Sequence, residues 1–208
     1  INNNFINIQM SKDFWNKRYS EQDFAYGIKP NIFFEEHIKN LEPGKVLFLG
    51  EGEGRNAIYA AQLKWQVDAV DFSSSAKVKA LRLAKLNNVK VNYEVCDLNE
   101  YDFKKDYYDL VVMIFLHLPT AIREKIFNSS FNSLQPSGKI IIEAFSKDQI
   151  NNSSGGPKSV DILYSENDFS TITNKSVINL FESRSINLEE GEHHRGKADV
   201  IRFLGTKI

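Results

Sequence analysis

The sequence predicts an α/β fold in which a mainly parallel sheet carries helices on both faces and ends in an antiparallel hairpin. Three observations carry this expectation. The apolar run Val46-Leu47-Phe48-Leu49 passes into Gly50-Glu51-Gly52-Glu53-Gly54 and then into a helix-like segment opening at Arg55-Asn56, which reads as strand, turn, helix. Short apolar runs then alternate with helical patterns, the signature of right-handed crossovers and of strands buried on both sides. Finally, Val177 to Glu189 and Lys197 to Thr206 read as two long strands with no helix between them, so they must pair as a hairpin.

The elements follow in order. Ile1 to Gln9 is asparagine-rich, shows no period and is assigned no function. From Ser11, a candidate N-cap, Phe14, Trp15, Arg18 and Tyr19 follow a helical pattern. The loop Phe24 to Asn31 leads to a second helix through Phe33, Phe34 and Ile38, and residues 11–42 together are expected to form a helical cap or lid. Tyr26, beside Gly27, either lids a pocket or covers the core. Val67 to Val70 is a strand ending at Asp71, and Ser73 to Leu86 is a helix with capping serines. Val91 to Cys96 is a strand ending at Asp97, and Leu110 to Phe115 is a continuous apolar strand. Pro119 to Leu134 is a helix, and Pro136-Ser137-Gly138 turns into the strand Lys139 to Phe145. Asn151 to Pro157 is a loop, Ser165 starts a capped helix, and Glu190 to Gly196 joins the hairpin strands.

At 208 residues and 42% hydrophobic content, the chain suits one domain, 1–208, with a sizeable core. A net charge of −1 gives no reason to expect a nucleic-acid partner. No apolar run approaches the roughly 18–20 residues that cross a bilayer, and no charged-then-apolar leader precedes the glycine turn. The expectation is a cytoplasmic protein without a membrane partner. Cys96, the single cysteine, excludes an intramolecular disulfide and a cysteine-built metal site, and is expected to be a small buried side chain at a strand end.

The chemistry centres on the turn. Glycines permit positive φ and close approach, and the following helix N-terminus favours an anionic group, so a nucleotide-like ligand is expected. Asp71, about twenty residues on, is placed to accept the hydroxyls of a ribose. His117 follows the fourth strand and either acts as general base or acceptor-orienting group, or caps the next helix or bonds a loop carbonyl. His193, His194, His117 and Glu143 lack the spacing of a metal site, and no metal is expected.

The spacing G-x-G-x-G resembles the first motif of class I S-adenosylmethionine-dependent methyltransferases more than the G-x-G-x-x-G of dinucleotide folds. More narrowly, the chain resembles the tellurite-resistance and thiopurine methyltransferase-like branch. The likeness lies in Tyr26-Gly27 with Pro30-Asn31, Gly50-Glu51-Gly52-Glu53-Gly54-Arg55-Asn56-Ala57, Phe115-Leu116-His117-Leu118-Pro119, Gly155-Gly156-Pro157, Leu163-Tyr164-Ser165 and His194-Arg195-Gly196. The resemblance implies a Rossmann-like seven-stranded sheet. It also implies S-adenosylmethionine as cofactor, with S-adenosylhomocysteine as product and methyl transfer by in-line displacement. The cofactor would be held by Gly50, Glu51, Gly52, Gly54, Asp71 with Phe72, Asp97 with Leu98, and Phe115; Asp97 would accept from the adenine amino group. His117, Tyr26 and His194 would serve catalysis. The partner would be a small-molecule acceptor such as a thiol, selenium or tellurium compound, and the protein a monomer or homodimer. Family members usually carry an acidic residue two positions before the first glycine, where this chain has Phe48. Either Glu51 or Glu53 substitutes, or cofactor affinity is weakened. The alternatives are a non-catalytic S-adenosylmethionine-binding module and a nicotinamide-dependent oxidoreductase.

Overall fold

The computed structural model describes residues 11–208; the asparagine-rich start, assigned no function, lies outside the described residues. Helices α1 (Lys12–Tyr19) and α2 (Ile32–Ile38) precede β1 (Lys45–Leu49), α3 (Arg55–Gln62), β2 (Gln66–Asp71), α4 (Ser74–Leu86) and β3 (Asn92–Val95). Then come β4 (Tyr108–Ile114), α5 (Thr120–Ser133), β5 (Leu134–Phe145), three 3₁₀ turns, the short α6 (Ser170–Thr173), β6 (Ser176–Glu190) and β7 (His194–Lys207). The seven strands form one sheet in the order β3-β2-β1-β4-β5-β7-β6. β1 to β5 run parallel, and β7 pairs antiparallel with both β5 and β6. The sheet is therefore Rossmann-like and seven-stranded, with helices on both faces and a C-terminal hairpin. The chain grows outward from β1 to β3 and returns to β4. The carboxyl ends of β1 and β4 consequently flank the crevice where open α/β sheets bind ligands.

Burial on both faces explains the continuous apolar runs. Val46 and Phe48 enter a core layer with Phe33 and Phe34 of α2, Ala57 and Ile58 of α3, and Leu83 of α4. Leu47 and Leu49 point the other way, into a layer with Ile126, Phe127 and Phe131 of α5. The alternation repeats along β4, where Leu110 and Val112 join the first layer and Val111 and Met113 the second. Beyond the half-buried Lys45 and Asp109 at their starts, neither strand meets water, so there is no polar face to read.

Side-chain caps mark three of the six α-helix starts among the described residues. Ser11 caps α1 by accepting from Phe14, Asn31 caps α2 by accepting from Phe34, and Ser73 caps α4 by accepting from Ala76. Ser165 forms a capping box with Asp168 at the 3₁₀ turn Glu166–Phe169. Some boundaries differ from expectation. β4 stops at Ile114, because Phe115 turns off the strand with φ +52. Pro136 to Gly138 does not separate helix from strand. β5 begins at Leu134, and these residues lie in a bulge where its register against β4 jumps between the pairs Tyr108↔Leu134 and Leu110↔Lys139. The hairpin connection is shorter than Glu190 to Gly196, since Glu190 and His194 already face each other across the β6–β7 ladder. Cys96 is only half-buried and opens onto the crevice, because β3 ends one residue before it.

Beneath the crevice lies a buried polar knot. The Asn31 amide donates to Glu143 on β5 at 2.7 Å and to Glu190 on β6 at 3.0 Å, while its carbonyl oxygen caps α2. Arg202 on β7 pairs with the other oxygen of Glu143 and stacks on Phe33. Arg55 on α3 pairs with Glu190 at 2.9 Å. Asn31→Ala removes the cap and strips one donor from each of two buried carboxylates. It is expected to lower unfolding free energy by about 2–4 kcal/mol in urea denaturation. A loss near zero would show that the knot does not hold the N-terminal helices to the sheet.

Candidate functional site

The carboxyl ends of the parallel strands open into a cavity of about 350 Å³. The structure places every predicted site residue on its wall except Gly54. Gly54 caps α3 with φ +93, and a Cβ there would come within 2.8 Å of the Ala80 Cβ and 3.0 Å of its Cα on α4. Gly54 thus lies off the cavity wall, where the absence of a side chain lets α3 and α4 touch. Gly52, with φ +64, approaches the Tyr19 hydroxyl, which would lie 2.9 Å from a Cβ.

The acidic residues of the turn divide their work. Glu53 pairs with Lys79 of α4 at 2.7 Å and accepts the Ala25 N–H at 2.8 Å, so it staples the N-terminal loop to α4. Glu51 accepts the Asn56 and Ala57 N–H groups of α3 with Oε1 at 3.0 and 2.8 Å, and no described residue bonds its Oε2. Burial pushes its pKa up to about 7 against those helix N–H bonds and the Arg55 charge. Asp71 accepts from Gly52 N at 2.9 Å and from Ser73 N at 2.8 Å, and burial lifts its pKa to about 6. Each of its oxygens keeps a second lone pair for a ligand hydroxyl. Asp97 is exposed at the rim and accepts from the Asn99 N–H at 2.9 Å, while Leu98 beside it is buried. Phe48, in place of the usual carboxylate, packs edge-on against Phe34 at 5.4 Å in the core.

Arg55 and Asn56 hold the loop over the cavity: Arg55 donates to the Tyr26 carbonyl at 3.2 Å, and Asn56 accepts the Asn31 N–H at 2.9 Å. The loop both covers core and lids the pocket, with Phe24 packed against the first core layer and Tyr26 facing the cavity. The Tyr26 hydroxyl accepts from Arg18 at 3.0 Å, and burial raises its pKa, so it is a neutral ring and not a base. Trp15 and Tyr19 of α1, read from sequence only as helix-face aromatics, line the cavity beside it.

The histidines part company. His117 Nδ1–H donates to the Ile162 carbonyl at 2.9 Å, and its Nε2 accepts the Phe145 N–H at 3.3 Å. Burial pushes its pKa down to about 3. Both nitrogens are engaged by backbone groups, so of the readings offered by the sequence the bond to a loop carbonyl is the one this structure forms. His194 is buried between Tyr26 at 4.4 Å, Phe115 at 4.6 Å and Phe145 at 5.2 Å, ring to ring. Its Nδ1 lies 3.3 Å from Glu190. Glu190 was hidden in the sequence as part of a connection; its only signal was a carboxylate four residues before a histidine at a hairpin tip. Among the described residues, no group of three or more His, Cys, Asp or Glu is placed to hold a metal ion, and no helix is long and apolar enough to cross a membrane.

Comparison with known proteins agrees with this geometry. Residues 46–138, from β1 to the β5 bulge, match the family model described as a methyltransferase domain. Phosphoethanolamine N-methyltransferase 2 of Caenorhabditis elegans is 28% identical over 126 residues, which are 58% of this chain and 28% of that protein. Hemagglutinin 1 of Eikenella corrodens is 32% identical over 84 residues, 39% of this chain and again 28% of that protein. The matches thus span little more than a quarter of these relatives. Among solved structures, TehB from Haemophilus influenzae superposes with a TM-score of 0.72 at 19% identity, over 95% of this chain and 67% of that one. A geranyl diphosphate methyltransferase in complex with GPP and sinefungin superposes with a TM-score of 0.65 at 12% identity, over 95% and 99%. At such identities the likeness establishes the fold.

Linkage gives the sign of a test on Glu51. A carboxyl whose pKa rises on folding stabilises the fold in its protonated form, below the ordinary value of 4.5, and that contribution is lost as pH rises through about 7. Glu51→Gln mimics the protonated state. Its unfolding free energy relative to the parent protein is expected to improve by on the order of 2–3 kcal/mol between pH 5 and pH 8. A difference independent of pH would contradict the burial of Glu51.

Proposed function

We propose that this chain binds S-adenosylmethionine in the crevice beyond β1 and β4 and transfers its methyl group to a small-molecule acceptor. The observation that carries the reading is one cavity lined both by two buried carboxylates with ligand-facing capacity, Asp71 and Glu51, and by an aromatic-walled histidine, His194. The donor set fits the cofactor. Asp71 would take the ribose hydroxyls, and Phe72 and Leu98 offer apolar walls for the adenine, with Asp97 at its rim. The unbonded Oε2 of Glu51 would take the ammonium of the methionine part, replacing the carboxylate that Phe48 lacks; Glu53 is committed to Lys79. A cavity of about 350 Å³ falls within the range of small-molecule sites.

Bound S-adenosylmethionine supplies a methyl group already activated on a positively charged sulfur. The protein's task is then alignment and exclusion of water. Trp15, Tyr19 and Tyr26 roof the crevice, and the rings of Tyr26 and Phe115 offer π-faces to a cation. Thiols and selenium or tellurium compounds are the acceptors we favour, on the likeness of the glycine turn and the His194-Arg195-Gly196 tip to the tellurite-resistance and thiopurine branch. We further propose one domain over 1–208, with 11–42 as its lid, working in the cytoplasm as a monomer or homodimer.

Titration calorimetry with S-adenosylhomocysteine tests the cofactor assignment, with NAD as control. Micromolar binding is expected, lost in Asp71→Asn. It tightens as pH rises from 6 to 8, because the ionised form of Glu51, whose pKa is pushed up to about 7, attracts the ammonium. Glu51→Gln removes most of that dependence above pH 7 and leaves the part near pH 6 that comes from Asp71, whose pKa burial lifts to about 6. Binding of NAD alone, or of neither ligand, would overturn the reading. Binding without methylation of any thiol, selenite or tellurite probe would favour a non-catalytic binding module.

A further inference from the structure

The environment of His194 names a proton acceptor, and with it a substrate class; this inference rests on the methyl-transfer reading above. Glu190 is held on three sides: Oε2 accepts from Arg55 at 2.9 Å and from the His194 ring, and Oε1 accepts from Asn31 at 3.0 Å. A carboxylate so fixed cannot rotate away from His194. Because its oxygen accepts, the facing ring nitrogen, Nδ1, must carry the proton. That leaves Nε2 with its lone pair, and among the described residues nothing bonds it. The contacts of Tyr26, Phe115 and Phe145 with the ring leave it little freedom to flip.

We propose that Glu190 is a positioning residue that locks His194 in the Nδ1–H tautomer, so that Nε2 acts as general base toward acceptors whose nucleophilic atom carries a proton: a thiol, a phenol or an amine. The proton of the acceptor X–H passes to Nε2, and its electron pair stays on X. That pair forms the X–CH₃ bond as the sulfur–methyl bond breaks, with the sulfur–carbon pair remaining on sulfur. The imidazolium then returns its proton to solvent. An oxyanion without an X–H proton, such as tellurite, gains nothing from this pair.

The groups around the ring support the neutral base. Glu190 favours the imidazolium, while Arg55 on α3 and His193 at the hairpin tip oppose it; His117 and the Tyr26 hydroxyl, neutral themselves, face it from the β4 end and the lid. Burial is the largest influence and takes the His194 pKa below its ordinary value, while hydrogen bonds from His194 and Arg55 hold the Glu190 carboxylate below its usual range against its own burial. His194 is thus neutral at physiological pH, and base catalysis fails as pH falls through its pKa.

The test is imidazole ¹⁵N NMR of the labelled protein, with and without saturating S-adenosylhomocysteine, whose calorimetric binding separately checks the cofactor. The expected spectrum shows His194 neutral at pH 7.5, protonated on Nδ1 and with a pyridine-like Nε2. Glu190→Gln shifts this toward a mixture of tautomers while S-adenosylhomocysteine affinity changes less than threefold. An Nε2–H tautomer or a charged ring in the parent protein would overturn the proposal, even if the cofactor binds. Methylation of a thiol, a phenol and an amine by radiolabelled S-adenosylmethionine provides the second arm. His194→Gln is expected to cut kcat roughly 100-fold or more for whichever is accepted, without raising KM for S-adenosylmethionine. Equal kcat in parent and variant would also overturn it. If Glu190→Gln fails to fold, the tautomer of the parent protein and the His194→Gln kinetics still decide.

Discussion

Glu190 is the constraint on which much of the structure depends. It ends β6, yet its partners come from the N-cap of α2 (Asn31), the helix after the glycine turn (Arg55) and the start of β7 (His194). A carboxylate buried this deeply would be costly alone, and breaking such a pair leaves an uncompensated charge. The same knot therefore ties together the N-terminal segment, the glycine turn and the hairpin tip. Through Asn31 it continues to Glu143 and Arg202 in the middle of the sheet. The crevice is shaped by these polar ties as much as by the apolar core below it.

The sequence Gly-Glu-Gly-Glu-Gly-Arg-Asn gains a fuller meaning from this. Its side chains largely serve the protein itself. Glu51 caps α3, Glu53 grips Lys79 and Ala25, Arg55 reaches Tyr26 and Glu190, and Asn56 holds Asn31. Two of its glycines make room within the protein itself, Gly52 for the Tyr19 hydroxyl and Gly54 for α4. Phe48 fits the same pattern: with an aromatic partner in Phe34 it belongs to the core, and the free oxygen of Glu51 is the carboxylate left facing the cavity.

Topology was legible because it follows from period and punctuation. Apolar runs, capping serines and the absence of a helix between the last two strands suffice to place the strands along the chain and to pair the last two, while their order across the sheet, with β7 inserted between β5 and β6, is seen only in the structure. The walls of the cavity were legible for a related reason, since residues at strand ends must face the crevice of an open sheet. What could not be read was which polar groups meet across long sequence separations. Asn31 and Glu190 are 159 positions apart, and no local pattern announces their contact. For His117 the strand-end position was legible, but the choice between a base and a loop-carbonyl bond was not, because its backbone partners come from the distant Ile162 and Phe145 segments. Phe115 is a similar case: its positive φ follows from the tight exit of β4, which hydropathy alone reads as more strand.

The most direct measurement is a crystal structure of the protein grown with S-adenosylhomocysteine. Methyl transfer from the proposed site requires the ribose on Asp71, the ammonium within hydrogen-bonding distance of Glu51, and the sulfur on the side of the cavity walled by Tyr26, Phe115 and His194. Ligand bound with its ribose away from Asp71, or with its sulfur turned from His194, would contradict that assignment of the site.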